Sequence, residues 1–354
     1  MSSVLTFPPA GSEPTENSTL HCDFGGMVRL LAASIQGQEL ETRHMDISVV
    51  MATYNRCASL DQAIQALLNQ RTNGLEYEVI IVDNNSNDGT AAKVQAYAAQ
   101  DRRLNYVFEP RQGVAYGRNA GINVATGALI AFCDDDVWVA PDWLQRLYDA
   151  LGKYPDADFI GGKVIPVWKK APPQWLKADM PPLALQDRGD VPFRVTQENQ
   201  ICLISACLGV RRRALERAGL FDPETQRVKD GVGSTEDYDW ELKIWQKGGH
   251  GMYVPDAICY CEIPQTRMQK AYHRRWHFGH GKFSALARHR EFDGRRRLLD
   301  VPLFLYRQII EAAVKTPICL LTGKHHEAFE RETYLLFCLG FIRQRWKTQL
   351  FGQS

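Results

Sequence analysis

From Asp46 onward the chain alternates short apolar runs with stretches of helical period. Ile47-Ser48-Val49-Val50-Met51-Ala52 predicts a buried strand that ends in the polar turn Thr53-Tyr54-Asn55-Arg56. Leu60, Ile64, Leu67 and Leu68 then recur at helical spacing. Tyr77 to Val82 predicts a second strand, closed by Asp83 and the turn-rich run Asn84 to Thr90. Thr90 is placed to cap a helix over Ala91 to Ala99. Leu104 to Phe108 reads as a third strand, and Gly113 to Ala125 as a loop and helix carrying Arg118 and Asn119. Gly127 opens a further apolar strand, which runs through Phe132 into Cys133-Asp134-Asp135-Asp136. Strands and helices in this alternation predict an α/β fold with a parallel sheet and crossover helices.

The second half is less regular. Pro141 to Tyr154 predicts a helix with proline in its first turn, and Asp158 to Pro166 a strand. Trp168 to Arg194, rich in Pro, Lys and Trp, is expected to be a long irregular loop walling a cleft. Ile201 to Val210 is apolar, and a short basic helix over Arg211 to Ala218 follows. The glycine-rich Gly231 to Thr235 leads into a helix from Glu236 to about Lys247, stopped by Gly248-Gly249. Val301 to Leu321 is apolar apart from Arg307, Glu311 and Lys315, which share one helical face, so the segment is amphipathic and does not span a bilayer. Tyr334 to Ile342 is a second apolar run, followed by Arg343-Gln344-Arg345-Trp346-Lys347. Cations and Trp beside apolar helix suit peripheral membrane contact through residues 295–350, with packing on the main domain or another subunit as the alternative. Residues 1–44 are expected to be a disordered extension, with a short helix over Met27 to Leu40 and a true start at Met27 or Met45. The expected division is 1–44 extension, 45–288 main domain and 289–354 helical tail.

Composition narrows this little. The 354 residues carry a net charge of +1 and are 45% hydrophobic, an ordinary globular balance with no sign of a nucleic-acid partner. Nine scattered cysteines without zinc-type spacing, and no basic-then-apolar leader, fit a cytoplasmic protein, peripheral at most on the membrane's cytoplasmic face.

The candidate chemistry lies where strands end. Thr53 to Asn55, Asp83 and Asp134 to Asp136 follow separate strands, and a parallel sheet brings such ends to one rim, where ligands bind. Three adjacent carboxylates repel one another and call for a hard cation, Mg²⁺ or Mn²⁺. A nucleotide-plus-metal cleft is therefore expected. The usual dinucleotide glycine fingerprint is missing after the first strand, as is a Gly-Lys-Ser/Thr loop. Glu236 and Asp237 open a helix behind a glycine loop. The helix dipole there favours an ionised carboxylate fit for a general base. The alternative is a capping box, Ser234-x-x-Asp237.

These stretches together carry a resemblance. Val50-Met51-Ala52-Thr53-Tyr54-Asn55-Arg56, Val82-Asp83-Asn84-Asn85-Ser86-Asn87-Asp88-Gly89-Thr90, Gly117-Arg118-Asn119-Ala120-Gly121, Phe132-Cys133-Asp134-Asp135-Asp136, Gly219-Leu220-Phe221-Asp222 and Glu236-Asp237 stand in the order seen in family 2 glycosyltransferases. The resemblance runs from about Asp46 to Lys282 and implies a GT-A fold, Rossmann-like, with a C-terminal helical extension. It implies an inverting transfer from a nucleotide sugar, with a UDP-sugar the expected donor, to a glycan or lipid-linked acceptor. By the same resemblance Thr53 and Asp83 lie against the nucleoside, and Tyr54, Asn55, Arg118 and Asp135 share the donor cleft. Asp134 faces ribose and metal, Asp136 is the main metal ligand, Asp237 the base and Glu236 its neighbour. Many relatives place a metal-site histidine where this chain reads Ile258-Cys259-Tyr260-Cys261-Glu262, with Cys261 at that position. Two other classes remain open from the residues, a nucleotidyltransferase-like metal enzyme and a non-catalytic nucleotide- or glycan-binding protein.

Overall fold

A computed structural model describes residues 45–227, 231–287 and 296–351, so the expectations for residues 1–44 lie outside the described residues. Strands β1 (Ile47–Thr53), β2 (Tyr77–Asp83), β3 (Leu104–Phe108) and β4 (Leu129–Phe132) are joined by helices α1 (Leu60–Leu68), α2 (Thr90–Ala98) and α3 (Val114–Val124). The four strands lie parallel in the order β3-β2-β1-β4. Beyond β4 come β5 (Val137–Val139), α4 (Trp143–Lys153), β6 (Phe159–Val167), β7 (Phe193–Val195), β8 (Leu208–Arg211), α5 (Arg212–Ala218), α6 (Glu236–Gln246) and β9 (Gly251–Glu262). They extend the sheet as a mixed half, β8 antiparallel to β4 and β6, and β9 parallel to β6. The twelve-residue β9 was not foreseen, because Pro255 interrupts its pattern. The proline sits where the β6–β9 register shifts, a bulge at which a missing N–H costs no ladder bond.

Side chains alternate across the strands and feed two cores. Val49 and Met51 join Leu60, Leu67 and Trp143 on one face, while Val50 and Val82 join Ile122, Leu215 and Trp240 on the other. Helix α3 sits very close to the sheet, since a Cβ on Gly121 would come within 2.4 Å of Val50 Cγ1. The ladder pairs Thr53 with Asp83 and Val50 with Phe132, so the polar ends of β1, β2 and β4 come to one rim.

Thr90 does not cap α2; it is the helix's first residue. Gly89, at φ 89°, turns the chain so that Asp88 reaches back, and its Oδ1 accepts from the Thr90 amide at 3.1 Å and hydroxyl at 2.6 Å.

The tail folds onto the main body. Helix α7 (Lys270–Ala287) is followed by a small ribbon of β10 (Arg297–Leu298) and β11 (Val301–Pro302), then by α8 (Leu303–Leu321) and α9 (His325–Phe351). Ala285 of α7 shares a small core with Val301, Leu305, Cys338, Phe341 and Ile342. Among the described residues no helix is long and apolar enough to cross a membrane.

An aromatic chain ties β4 to α6: Phe132, Phe221 and Trp240 pack in succession at 5.5 and 5.9 Å, and Trp240 packs on Phe159 at 5.8 Å. Trp240→Ala should therefore lower the unfolding free energy by about 3–5 kcal/mol, read from urea denaturation. A change under about 1 kcal/mol would contradict this packing role.

Candidate active site

The acidic triplet occupies the tight turn between β4 and β5, where the Val137 amide donates to the Asp134 carbonyl at 3.2 Å. Each of the three carboxylates meets a different guanidinium. Arg118 Nη2 donates to Asp134 Oδ1 at 3.2 Å. Arg56 Nε lies 3.5 Å from Asp135 Oδ1, and its Nη2 3.9 Å from Asp136 Oδ2. Arg267, in the turn before α7, donates from Nη2 to Asp136 Oδ2 at 2.9 Å. Thr53 at the end of β1 donates from Oγ1 to Asp135 Oδ2 at 2.7 Å, joining the first rim element to the third. Burial, with the charge of Asp136 adding to it, pushes the Asp135 carboxyl up to about 6.

Arg118 links this turn to the start of α6. Its side chain is 5% exposed, and its Nη1 donates to Glu236 Oε1 and Asp237 Oδ1, both at 3.1 Å. Local sequence fixes where it points. Gly113 stands at φ 145°, and its amide donates to Asn84 Oδ1 at 2.7 Å. Gln226 Oε1, which a Cβ on Gly113 would meet at 2.1 Å, accepts from the Ala115 amide at 2.8 Å at the start of α3. The Asn119 side chain brackets the backbone of Phe221, accepting at 3.0 Å and donating at 2.9 Å, and Arg118 lies 5.6 Å over that ring. Burial pulls the Arg118 pKa down, but the carboxylates of Asp237, Asp134 and Glu236 outweigh it and the value is raised.

Asp237 does not act as a cap. The N-cap of α6 is Thr235, which makes no side-chain capping bond. The Asp237 carboxylate instead turns to Arg118 on one oxygen, and its Oδ2 accepts from the Ser205 amide at 3.1 Å and hydroxyl at 3.0 Å. Burial raises this carboxyl to about 6, with Arg118 holding it down and Glu236 pushing it up.

Two cavities open along the rim. One of about 180 Å³ is lined by Thr53, Tyr54, Asn84, Asp134 and Asp135 among others. The other, of about 770 Å³, includes Arg56, Asp135, Asp136, Lys169, Arg267 and Arg275 in its wall. Thr53, Tyr54, Asp134, Asp135 and Asp136 thus line these two cavities, while Arg118, Glu236 and Asp237 lie off both linings and join them through the Arg118–Asp134 contact. Asp83 and Asn55 serve differently. Asp83 is buried, accepting from the Ser86 amide at 2.8 Å and the Tyr106 hydroxyl at 3.1 Å, and lies off both linings. Asn55 stitches the β1 and β2 loops, its Oδ1 accepting from the Asn87 amide at 2.9 Å. Ser205 and Gln226 were not assigned from sequence; a lone serine within the apolar run Ile201 to Val210 was the one available signal for the first.

At the position of the relatives' histidine, Cys261 is buried, and its thiol is pushed up to about 12 by burial, with Asp136 adding to the rise. It stays protonated near neutral pH, a poor partner for a hard cation. Glu262 lines the larger cavity with its Oε2 2.8 Å from Lys169 Nζ. His273 Nε2 lies 2.9 Å from the Arg267 carbonyl and buttresses that turn. Among the described residues no group of three or more His, Cys, Asp and Glu side chains forms a metal cage. Two aspartates at the cleft nevertheless fit an ion held by one or two carboxylates plus the phosphates of a substrate.

A strand rim with this topology and acidic turn defines a sugar-nucleotide transferase fold, and comparison with known proteins agrees. Mannosyltransferase PcManGT from Pyrobaculum calidifontis, solved with GDP-Man and Mn²⁺, superposes with a TM-score of 0.56 at 18% identity over 94% of this chain and 96% of that one. GalNAc-T7, solved with UDP, GalNAc and Mn²⁺, gives 0.50 at 17% identity over 69% and 48%. These likenesses show the GT-A fold. The profile of Glycosyl transferase family 2 matches residues 48–219, and that region of the chain carries the family's pattern. Glucosyl-dolichyl phosphate glucuronosyltransferase of Haloferax volcanii is 32% identical over 208 residues, 58% of this chain and 65% of that protein. Validoxylamine A glucosyltransferase of Streptomyces hygroscopicus subsp. jinggangensis is 39% identical over 113 residues, 31% and 26% respectively. The chain spans less than two thirds of the length of these curated relatives.

Because Asp237 binds its proton more tightly folded than unfolded, its ionisation costs stability as pH rises from about 4, the unfolded carboxyl value, through about 6. Asp237→Asn removes that cost. The variant should be more stable than the parent at pH 7, by on the order of 1–2 kcal/mol, with the gain fading towards pH 4. Urea titrations at the two pH values read this, and a variant less stable than the parent at pH 7 would contradict it.

Proposed function

We propose that the protein is a metal-dependent, inverting glycosyltransferase. It moves a sugar from a nucleotide-sugar donor, a UDP-sugar by preference, to a hydroxyl of a glycan or lipid-linked acceptor in cell-surface polysaccharide or glycolipid synthesis. The observation that carries this reading is Arg118, which holds the acidic turn and the Glu236-Asp237 pair within reach of one guanidinium. Thr53, Tyr54, Asp134 and Asp135 line the smaller cavity, which suits the nucleoside, and Asp83 with Asn55 shapes the loops behind it. Arg56, Arg267 and Arg275 face the adjoining space, where a diphosphate would find cations.

Asp136, with Asp134, would hold the divalent ion. When bound, that ion supplies a clamp for the diphosphate and offsets the charge of the departing nucleoside diphosphate. The acceptor oxygen attacks the anomeric carbon in line as the bond to the diphosphate breaks, and its proton passes to the Asp237 carboxylate. A carboxyl near 6 is mostly ionised at neutral pH yet basic enough to take that proton. Ser205 and Arg118 orient the two oxygens, and the neighbouring Glu236 raises the carboxyl's basicity. The relatives named above are glycosyltransferases, which does not favour a nucleotidyltransferase or a non-catalytic binder. We place the enzyme on the cytoplasmic side, its 45–288 domain catalytic and its 289–354 tail peripheral to a membrane.

Nucleoside diphosphate release from UDP-, GDP- and dTDP-sugars, with and without Mn²⁺, tests the reading; no release from any of them would reject it. In the active pairing Asp237→Asn should cost about 10²–10⁴-fold in kcat and leave donor affinity nearly unchanged. Near-normal turnover would dismiss the base assignment. The acidic limb of kcat/KM should inflect near pH 6. Ser205→Ala, which removes a hydrogen bond to the ionised form, should move that limb to higher pH.

A further inference from the structure

The outer face of α8 is apolar and uncovered. The helix packs inward through Leu305, Ala312 and Cys319, buried at seven-residue spacing. About half a turn around the helix, at roughly 100° per residue, Ile310, Val314, Ile318 and Leu321 fall in one line. They are 65%, 58%, 53% and 88% exposed. Apolar residues at i, i+4, i+8 and i+11 normally mark the covered side of a surface helix, and here they face out. A contiguous aliphatic line of this kind is an interaction surface.

Charge says what covers it. Arg307, Glu311 and Lys315 run along one flank of the line, and Glu311 is paired with Lys315 within the helix. The segment 296–351 holds nine Lys and Arg against five Asp and Glu. Over the segment as a whole two copies would repel, whereas anionic headgroups attract it. We propose that α8 lies in the headgroup layer of an anionic bilayer, with Ile310, Val314, Ile318 and Leu321 directed into the acyl boundary. The proposal deepens the peripheral-membrane part of the function above and rests on that reading for its purpose.

The test uses the full chain with vesicles of phosphatidylcholine alone or mixed with phosphatidylglycerol, read by co-sedimentation. The protein should sediment with the mixed vesicles and much less with the neutral ones. The variant Ile310→Ser/Val314→Ser/Ile318→Ser should lose at least about tenfold in partitioning, since three aliphatic side chains no longer leave water. Nucleoside diphosphate release without vesicles should be equal in both proteins, which shows the variant folded and reads the enzymatic proposal separately. Absence of wild-type binding to mixed vesicles overturns the inference, as does equal binding by the variant. Light scattering that finds a dimer abolished by the three substitutions assigns the line to a second copy instead, and also overturns it. Vesicle binding without donor turnover would leave the surface assigned and the enzymatic reading rejected.

Discussion

A single buried guanidinium holds the cleft together. Asp134 belongs to the turn after β4, while Glu236 and Asp237 begin α6, and the three carboxylates would drive those segments apart in a low dielectric. Arg118 converts that repulsion into cohesion, because one planar group donates to all three. Removing the guanidinium from such a cluster costs about 3–5 kcal/mol, since the buried carboxylates are left unpaired. The seating of α3 follows from this requirement. A glycine at each close approach, a glutamine on the helix start and an aromatic ring beneath the guanidinium all serve to put Arg118 at one point.

The same pairing repeats along the acidic turn, with Arg56 and Arg267 as the other partners. One of these contacts differs in kind from the others. Arg267 is 15% exposed and bonds Asp136 at 2.9 Å. Arg118 is enclosed, while Arg56 is 44% exposed and sits at the loose end of the distance range. Arg56 thus meets Asp135 and Asp136 from the solvent side, where its charge is screened, whereas the Arg118 cluster is shielded from water. Enclosed and screened charge lie side by side on one acidic turn.

Much of this could be read from residue order. The parallel half of the sheet follows from runs such as Ile47 to Ala52 and Tyr77 to Val82, buried on both faces and apolar apart from Ser48 and Glu78, which bond each other at 2.7 Å. Polar groups immediately after those runs had to reach one rim. What stayed hidden was pairing at a distance. Arg267 meets Asp136 across 131 positions, and no local pattern encodes that. Ser205 looked like an ordinary member of an apolar segment. Ser234-x-x-Asp237 read equally well as a cap, and only the surrounding charges turned the carboxylate elsewhere. The β9 strand was masked by a proline whose missing donor is harmless at a bulge.

Beside their side-chain core, α9, α7 and the loop before α6 meet at points of bare backbone. A Cβ on Gly281 would come within 2.0 Å of the Phe337 carbonyl oxygen, and one on Gly340 within 2.1 Å of that of Phe278. On the neighbouring turn of α7, a Cβ on Gly233 would meet the His280 nitrogen at 2.5 Å. At these three points no side chain lies between the segments to absorb a displacement. A displacement of α9 therefore presses directly on the backbone of α7 and, through Gly233, on the loop that leads into α6.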